Sequence, residues 1–293
     1  MRLLVLSILF VLPLSASAQK TWKQRKQKIS HAQGTLFLHW GYNRSGYTKS
    51  NIRFVGPGYD FTMGGADVHD NPSPFSFDKY LNPANFTIPQ FNARVGYYFR
   101  HHWSISLGYD HMKYIFADGN QVSLSGSIDD GVDNSTNWSG IYNGQRIMTD
   151  RDLFHYENSN GLNYIRLELA RTDMLISLGQ KDQFAISTNA AVGAGALLSI
   201  SDFKFAGQES LEIPSMSGYG LSGHLGLRFE FFKHIYLQSN FGGGFHHQVK
   251  VRTRQNDPSA FARHAYAYME FNTVLGLILY IRPTNSCDSC PVW

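Results

Sequence analysis

Apolar and polar side chains alternate with a period of two through most of this chain, from residue 34 to residue 281. Successive side chains of a β-strand point to opposite faces, so each alternating segment predicts a strand with one apolar and one polar face. The clearest segment is 263–281, whose apolar face carries Ala265, Ala267, Met269, Phe271, Thr273, Leu275, Leu277, Leu279 and Ile281. Its other face carries Tyr266, Tyr268, Glu270, Asn272 and Gly276. The first face could lie in hydrocarbon, whereas the second could not.

Eight segments are long enough to cross a bilayer, for which a tilted strand needs about 9–11 residues. They are 34–44, 89–99, 103–116, 161–172, 183–200, 217–232, 235–250 and 263–281. The long connections are 45–88, 117–160, 201–216 and 251–262, and the short ones are 100–102, 173–182 and 233–234. Outer-membrane barrels have short periplasmic turns and longer extracellular loops. The pattern therefore predicts an all-β fold, an eight-stranded antiparallel transmembrane β-barrel over 34–281 with large extracellular loops and both termini in the periplasm.

Two other architectures are open. Residues 52–62 also read as a strand, with Pro57 suited to an edge or a bulge. As a spanning strand this segment would break the alternation of short and long connections, so we expect it in a structured first loop, with a ten-stranded barrel as the alternative. A secreted β-sandwich is the second competitor. The polar faces favour the barrel, because they are rich in Gly and Ser and carry charges of both signs, as a narrow lumen requires.

The composition agrees with a barrel. Only 16% of the residues are charged, against about a quarter in a typical soluble domain. No stretch beyond the N-terminus approaches the 18 apolar residues of a helical span. The net charge of +4 is too small and too dispersed to indicate nucleic-acid binding.

The two ends of the chain are predicted to lie outside the barrel. Residues 1–18 have a short basic start, an apolar run and a final Ala-Ser-Ala, which predicts a cleaved signal peptide. Residues 19–33 are a basic periplasmic tail, and 282–293 form a C-terminal tail. In an oxidising periplasm Cys287 and Cys290, the chain's two cysteines, are expected to form a local disulfide.

Polar residues at membrane depth predict a charge network inside the barrel. The predicted members are His39, Arg94, Asp110, Arg166, Glu168, His224, Arg228, Glu230 and Glu270. Isolated charges in a low-dielectric interior cost several kcal/mol each, so these groups should pair. An eight-stranded barrel is just wide enough for its side chains to fill it. The chain is therefore expected to act through its extracellular loops as a surface binding or structural protein, and a small channel is an alternative.

The loops suggest surface binding. Loop 117–160 is acidic, and Asp129, Asp130 and Asp133 could offer oxygens to calcium, although the spacing lacks the EF-hand pattern and its closing Glu. No other cofactor or metal site is predicted. The expected partners are outer-membrane lipids and lipopolysaccharide, with an unidentified extracellular or periplasmic protein.

Several segments carry a family resemblance. They are 43–54 (NRSGYTKSNIRF), 58–62 (GYDFT), 87–92 (TIPQFN), 108–114 (GYDHMKY) and 161–164 (GLNY). These segments resemble uncharacterised outer-membrane β-barrel proteins of the Bacteroidota, over most of the predicted mature chain. The resemblance implies the same fold and location, and it implies no catalytic residues.

An enzymatic alternative rests on a second resemblance. Lipid A 3-O-deacylases are eight-stranded barrels with a His-x-Ser-Asn signature and a later Glu. Here Ser159 and Asn160 match, but Glu157 stands where the histidine would be. The catalytic set would have to be His155, Ser159 and Glu168. Strand residues four apart are separated by about 13 Å, too far for the direct contact that a serine and its base need.

Overall fold

The computed structural model describes residues 31–74, 76–82, 89–179 and 183–281. The predicted signal peptide, all but the last three residues of the basic tail, and the C-terminal tail with Cys287 and Cys290 lie outside the described residues. The described part contains one short helix, α1 (Phe77–Leu81). Its strands are β1 (Thr35–Tyr47), β2 (Ser50–Gly56), β3 (Tyr59–Ala66), β4 (Val68–His69), β5 (Phe91–Arg100), β6 (Trp103–Phe116), β7 (Gln121–Ile128), β8 (Gly140–Met148), β9 (His155–Leu178), β10 (Phe184–Phe205), β11 (Gln208–Phe231), β12 (Ile235–Arg252) and β13 (Phe261–Tyr280).

Eight of these strands close into an antiparallel ring. The order is β1-β5-β6-β9-β10-β11-β12-β13, and β13 pairs with β1 from Thr35↔Tyr280 to Tyr47↔Tyr268. A closed ring has no unpaired edge, which is the only way in which a sheet can satisfy its backbone inside a bilayer. The predicted eight-stranded fold is therefore confirmed. The ten-strand alternative is wrong, because β2 and β3 lie outside the ring.

The outer face of the ring is an apolar belt. It comprises roughly the segments 36–42, 93–99, 103–109, 165–178, 184–196, 219–231, 235–245 and 269–281. Large side chains on it are strongly exposed, among them Val95 at 62% and Leu225 at 70%. Rows of such side chains on every strand are the lipid-facing surface of a transmembrane barrel, with the polar positions turned into the lumen. Among the described residues, no helix is long and apolar enough to cross a membrane.

A compact lobe stands on one end of the barrel. Strands β9, β10 and β11 have 24, 22 and 24 residues, about twice what a membrane crossing needs. Their upper ends, with those of β12 and β13, form one wall. The hairpin β2–β3 joins that wall where Arg53–Val55 pair with Phe261–Arg263 of β13, and the sheet continues through β7 to β8. We call this region, β2–β4, β7, β8 and the upper ends of β9–β13, the lobe.

The lobe has its own aromatic core. Its fully buried side chains include Ile52, Phe54, Phe61, Met63, Phe116, Val122, Leu124, Phe154, Tyr156, Phe203 and Phe205. Phe54 stacks on Phe203 with 5.2 Å between ring centroids and meets Phe154 edge-on at 5.3 Å. Such pairs contribute about 0.5–1.5 kcal/mol each beyond the burial of their area. This core makes the lobe a packed structure.

Three predicted connections differ from the structure. Segment 117–160 contains β7 and β8, because Val122 and Leu124 alternate into the lobe core. Segment 201–216 is a continuation of β10 and β11, whose connecting turn is only Ala206 and Gly207. The turn predicted at 173–182 starts later, since β9 runs to Leu178. Segment 52–62 forms β2 and β3 in a structured first connection, as expected.

Candidate functional site

The centre of the lumen holds four charged side chains in mutual contact. Arg94 Nη1 lies 2.7 Å from Glu168 Oε2, and Arg94 Nη2 lies 3.4 Å from Asp110 Oδ1. Arg166 Nε lies 2.9 Å from Asp110 Oδ2, and Arg166 Nη2 lies 3.7 Å from Glu168 Oε2. All four side chains are at most 4% exposed. Two cations and two anions thus neutralise one another where water is excluded, which is the arrangement that makes buried charge tolerable.

Amide side chains extend this cluster to the opposite wall. Asn92 Nδ2 donates to Asp110 at 2.6 Å and to Glu270 at 3.3 Å. Asn272 donates to Glu270 at 2.6 Å and accepts from Asn240 at 2.7 Å. The positions of these amides on the polar faces of their strands were visible in the sequence, although only the charged residues were predicted as a network. The amides matter because they can donate and accept at once and so connect carboxylates.

A second group lies nearer the short turns and is centred on Arg228. Its guanidinium donates to Gln238 at 2.7 Å and to the Tyr98 hydroxyl at 2.9 Å, and it lies 4.2 Å from the centroid of the Tyr236 ring. Gln238 in turn donates to Asn240 at 2.7 Å, which joins this group to the amide chain. The lumen is therefore crossed by one continuous layer of hydrogen-bonded side chains.

The remaining predicted lumen residues lie at the margins of this layer. His224 Nδ1 is 3.6 Å from Glu168, and His39 Nδ1 is 2.9 Å from the Tyr236 hydroxyl. Glu230 accepts from Ser187 at 3.4 Å. All nine predicted residues are buried inside the ring. Five of them contact one another directly, whereas His39, Arg228, Glu230 and Glu270 hydrogen-bond to uncharged side chains.

Aromatic and imidazole side chains fill the barrel above the charged layer. The Tyr114 hydroxyl lies 3.2 Å from His264 Nδ1, and the Tyr156 hydroxyl lies 3.4 Å from His264 Nε2. Burial is the main cause that lowers the pKa of His264 to about 3. This side chain stays neutral at physiological pH and acts as a hydrogen-bonding part of the interior that connects the barrel to the lobe.

The proposed deacylase residues are only partly brought together. His155 Nε2 lies 2.6 Å from Glu157 Oε2, and the Ser159 hydroxyl donates to the other oxygen of Glu157. Glu168 is held in the lumen by arginines, nine strand residues from Ser159 and thus on the order of 30 Å along the chain. His155, Ser159 and Glu168 therefore do not meet as a contacting group, because Ser159 and Glu168 lie far apart along β9.

The group that does form has the wrong order for a hydrolytic triad. A nucleophilic serine needs its base beside it and an orienting group beyond the base. Here the carboxylate stands between the serine and the imidazole. Burial raises the pKa of Glu157, but the hydrogen bonds from His155 and Ser159 outweigh it and hold that pKa below its ordinary value. A carboxylate with a lowered pKa is a weaker base, so the contacts favour a structural role.

The acidic segment considered for calcium is folded around Asp133. The Asp133 carboxylate accepts hydrogen bonds from Ser135 N at 2.9 Å and from Thr136 N at 3.1 Å, and it is buried. This side chain caps a turn. Asp129 and Asp130 are exposed beside it. Within the described ranges no three His, Cys, Asp or Glu residues gather into a group that could hold a metal ion.

A pocket of about 660 Å³ opens at the top of the lobe. Four segments that are far apart in sequence form it, namely the β2–β3 turn, the β7–β8 connection, the β10–β11 turn and the β12–β13 connection. Its walls include Tyr59, Val132, Glu209, Leu211, Arg254 and Asp257. Sequence reasoning missed this site, because each segment contributes only one to five residues and none of the four carries a motif.

Arg254 fixes the geometry of the pocket. Its guanidinium donates to the backbone carbonyls of Phe205 at 2.9 Å and Gln208 at 3.2 Å and to Ser210 Oγ at 3.2 Å. It also lies 4.9 Å from the centroid of the Phe203 ring. In the described part of the chain Arg254 forms no salt bridge. The guanidinium therefore ties the β12–β13 connection to the β10–β11 turn, and its donors are directed at the protein.

The solved structures that are similar to this chain are outer-membrane proteins with low sequence identity to it. The outer membrane protein AlkL, determined in lipid bilayers, is 10% identical, with 92% of this chain and 100% of that chain covered and a TM-score of 0.40. OprG from Pseudomonas aeruginosa is 11% identical, with 87% and 100% covered and a TM-score of 0.37. Ail of Yersinia pestis, in complex with the heparin analogue sucrose octasulfate, is 11% identical, with 84% and 99% covered and a TM-score of 0.33. At these TM-scores the similarity carries no inference about activity. No protein-family model and no curated protein matches the chain.

Proposed function

We propose that this chain is an integral outer-membrane protein that uses a closed eight-stranded barrel as an anchor and presents the lobe as a rigid binding structure on the cell surface. The observation that carries this proposal is the continuous layer of side chains across the lumen. Arg94, Arg166 and Arg228 are each buried and hydrogen-bonded in it. A solute would have to break several charge-assisted bonds to pass. The surface left for a function is the lobe.

The orientation follows from the lengths of the connections. The lobe end would be extracellular and the short turns periplasmic. Thr35 and Tyr280, near the start of β1 and the end of β13, are paired at the short-turn end, so both termini would be periplasmic. Lipids and lipopolysaccharide would contact the apolar belt. A protein partner and an affiliation with the Bacteroidota barrel family remain predictions.

Labelling of intact cells tests this orientation. In a background with Cys287→Ser and Cys290→Ser, single cysteines are introduced at exposed Asp130 in the lobe and exposed Arg100 at a short turn. A membrane-impermeant maleimide should label Asp130→Cys in intact cells and Arg100→Cys only after lysis. The opposite result would overturn the topology.

Conductance measurements test the closed lumen. The purified protein in planar bilayers should give no stepwise currents, because the charged layer leaves no continuous path. Reproducible unitary steps from the parent chain would favour the small-channel alternative. A variant with Arg94→Ala and Glu168→Ala serves as the positive control, since it removes two large side chains from the middle of the layer.

Lipid A acyl hydrolysis is a second candidate, because Ser159, Glu157 and His155 lie in contact, although not in the order of a hydrolytic triad. Mass spectrometry of lipid A from cells with the parent chain, with Ser159→Ala and without the gene decides this question. We expect the same acylation in all three. A loss of one acyl chain that depends on Ser159 would establish the enzyme and refute a purely binding role.

A further inference from the structure

The pocket at the top of the lobe combines apolar walls with groups that hydrogen-bond. Leu211 is 59% exposed although it lies far above the apolar belt, and Val132 and Pro57 line the pocket beside it. Gln208, Gln255 and Asn256 contribute side-chain amides to the same walls. Pockets that hold small ligands typically pair such apolar surface with a few polar groups that fix orientation. Amides offer donors and acceptors together, which suits a ligand with many hydroxyl groups.

The charges of the pocket argue against an anionic ligand. Glu209 and Asp257 bring two carboxylates, and Arg254 brings one guanidinium. The donors of Arg254 already point at backbone carbonyls and Ser210. A phosphate or sulfate group would thus meet two like charges and find no free cation among the lining residues.

Tyr59 forms part of the wall of the pocket, but its hydroxyl oxygen is shut off from solvent. Tyr59 is 7% exposed, and the neighbouring Thr253 is 1% exposed. The side chains of Thr253 and Arg254 both interact with the Tyr59 hydroxyl. Burial raises the pKa of Tyr59, so its hydroxyl keeps its proton. The groups that can reach a ligand are therefore the amides and carboxylates of the rim.

From these observations we infer that the pocket binds a neutral, hydroxyl-rich saccharide. The sugar's C–H faces would pack on Leu211 and Val132, and its hydroxyl groups would bond the amides and carboxylates of the rim. The Tyr59 ring would form part of the wall beside the sugar. Because Arg254 holds two of the four segments together, the walls are already positioned before binding, which reduces the ordering that binding requires. This inference rests on the proposed function, since it requires the lobe to be extracellular.

The test is calorimetric titration of the full chain in detergent. The probes are neutral glucan, mannan, galactan and xylan oligosaccharides, a sulfated disaccharide and a lysine-rich peptide. At least one neutral probe should bind. Asn256→Ala should weaken that binding about 3- to 10-fold, the value of one hydrogen bond, because the exposed Asn256 amide lines the pocket. Leu211→Ser should weaken it as well. Gln121→Ala, an exposed change at the far end of β7, should leave it unchanged.

Each contrary outcome has a separate meaning. Binding that Asn256→Ala and Leu211→Ser leave intact would overturn the location. Binding of the sulfated disaccharide or the peptide alone would overturn the ligand class. If Asp130→Cys is labelled on intact cells and no neutral probe binds, the saccharide inference fails and the proposed surface lobe stands. If Asp130→Cys is not labelled, the proposed function itself fails, whatever the titration gives.

Discussion

The pairing of Arg94 with Glu168 offers the most direct test of how the lumen is stabilised. Glu168 is shared by Arg94 at 2.7 Å, Arg166 at 3.7 Å and His224 at 3.6 Å. Removing either member of the pair leaves a buried charge without its closest partner. We expect Arg94→Met and Glu168→Met each to lower the free energy of unfolding by about 3–5 kcal/mol, the usual cost of breaking a buried ion pair.

The double variant should be much less destabilised than the sum of the two. With both members replaced by apolar side chains, Asp110 and Arg166 still pair at 2.9 Å. Exchange of a whole buried pair for apolar residues is often close to neutral, so we expect the double variant to lie within about 2 kcal/mol of the parent. The coupling energy of the cycle is then about 4 kcal/mol or more.

Reversible urea unfolding in lipid vesicles, followed by tryptophan fluorescence, measures these free energies. A matched control is the exposed pair of Lys49 and Asp67, whose atoms are 3.2 Å apart and whose side chains are 64% and 53% exposed. Its coupling energy should be below about 1 kcal/mol, as for other surface pairs. If the costs of Arg94→Met and Glu168→Met add to within about 0.5 kcal/mol, the two residues do not act as a pair and the reasoning is refuted.

Three further predictions concern the lobe and the barrel wall. In the unfolded chain His264 binds a proton below about pH 6.5, but in the folded protein its pKa is about 3. The free energy of unfolding should therefore fall by up to about 1.4 kcal/mol per pH unit as the pH drops between these values. The urea midpoints measured at pH 7 and pH 4.5 should differ less in His264→Phe than in the parent or in the exposed control His69→Asn. Gly195→Ala would put its Cβ against the carbonyl oxygen of Ile165 and should abolish the heat-modifiable gel shift of the folded barrel. Gly46→Ala, whose Cβ would have no atom within 4 Å, should keep the shift. Equal behaviour of the two variants would contradict the geometry of the barrel wall. Arg254→Ala should speed hydrogen exchange at amides 203–210 at least tenfold, because the bonds from its guanidinium to this turn are lost; unchanged exchange would show that the turn is held by other contacts.

The barrel could be predicted because each of its strands shows the alternation of apolar and polar side chains within its own sequence. On β13 the alternation of Phe271 and Leu275 with Glu270 and Asn272 indicates which face contacts lipid, and this can be read without knowing which strands lie beside β13. The signs of the charges on the polar faces also indicated pairing. Which arginine meets which carboxylate could not be predicted, since it depends on the stagger of neighbouring strands, as in the register that sets Arg94 opposite Gly108.

The lobe was harder to predict, because its strands are short and its core comes from distant segments. Phe54, Phe61, Phe154 and Phe203 meet in one core although they belong to three separate connections of the predicted barrel. Segment 121–128 has a local signal, since Val122, Leu124 and Ile128 fall on one face and are buried. Gly126 interrupts the apolar series, so the pattern is too brief to be distinguished from a loop by periodicity.

The same strands build the barrel and the lobe, and this continuity has a consequence for binding. Along β13 the inward positions change from Asn272 and Glu270 through Tyr268 and Tyr266 to His264, without a break in the hydrogen-bonded pairing to β12 from Ile235 to Gln248. The interior is therefore one packed column from the charged layer to the lobe core. Flexible surface loops lose conformational entropy when they bind, whereas a lobe built on the extensions of β9 to β13 has already lost it on folding. The lobe can thus present a fixed surface to a ligand.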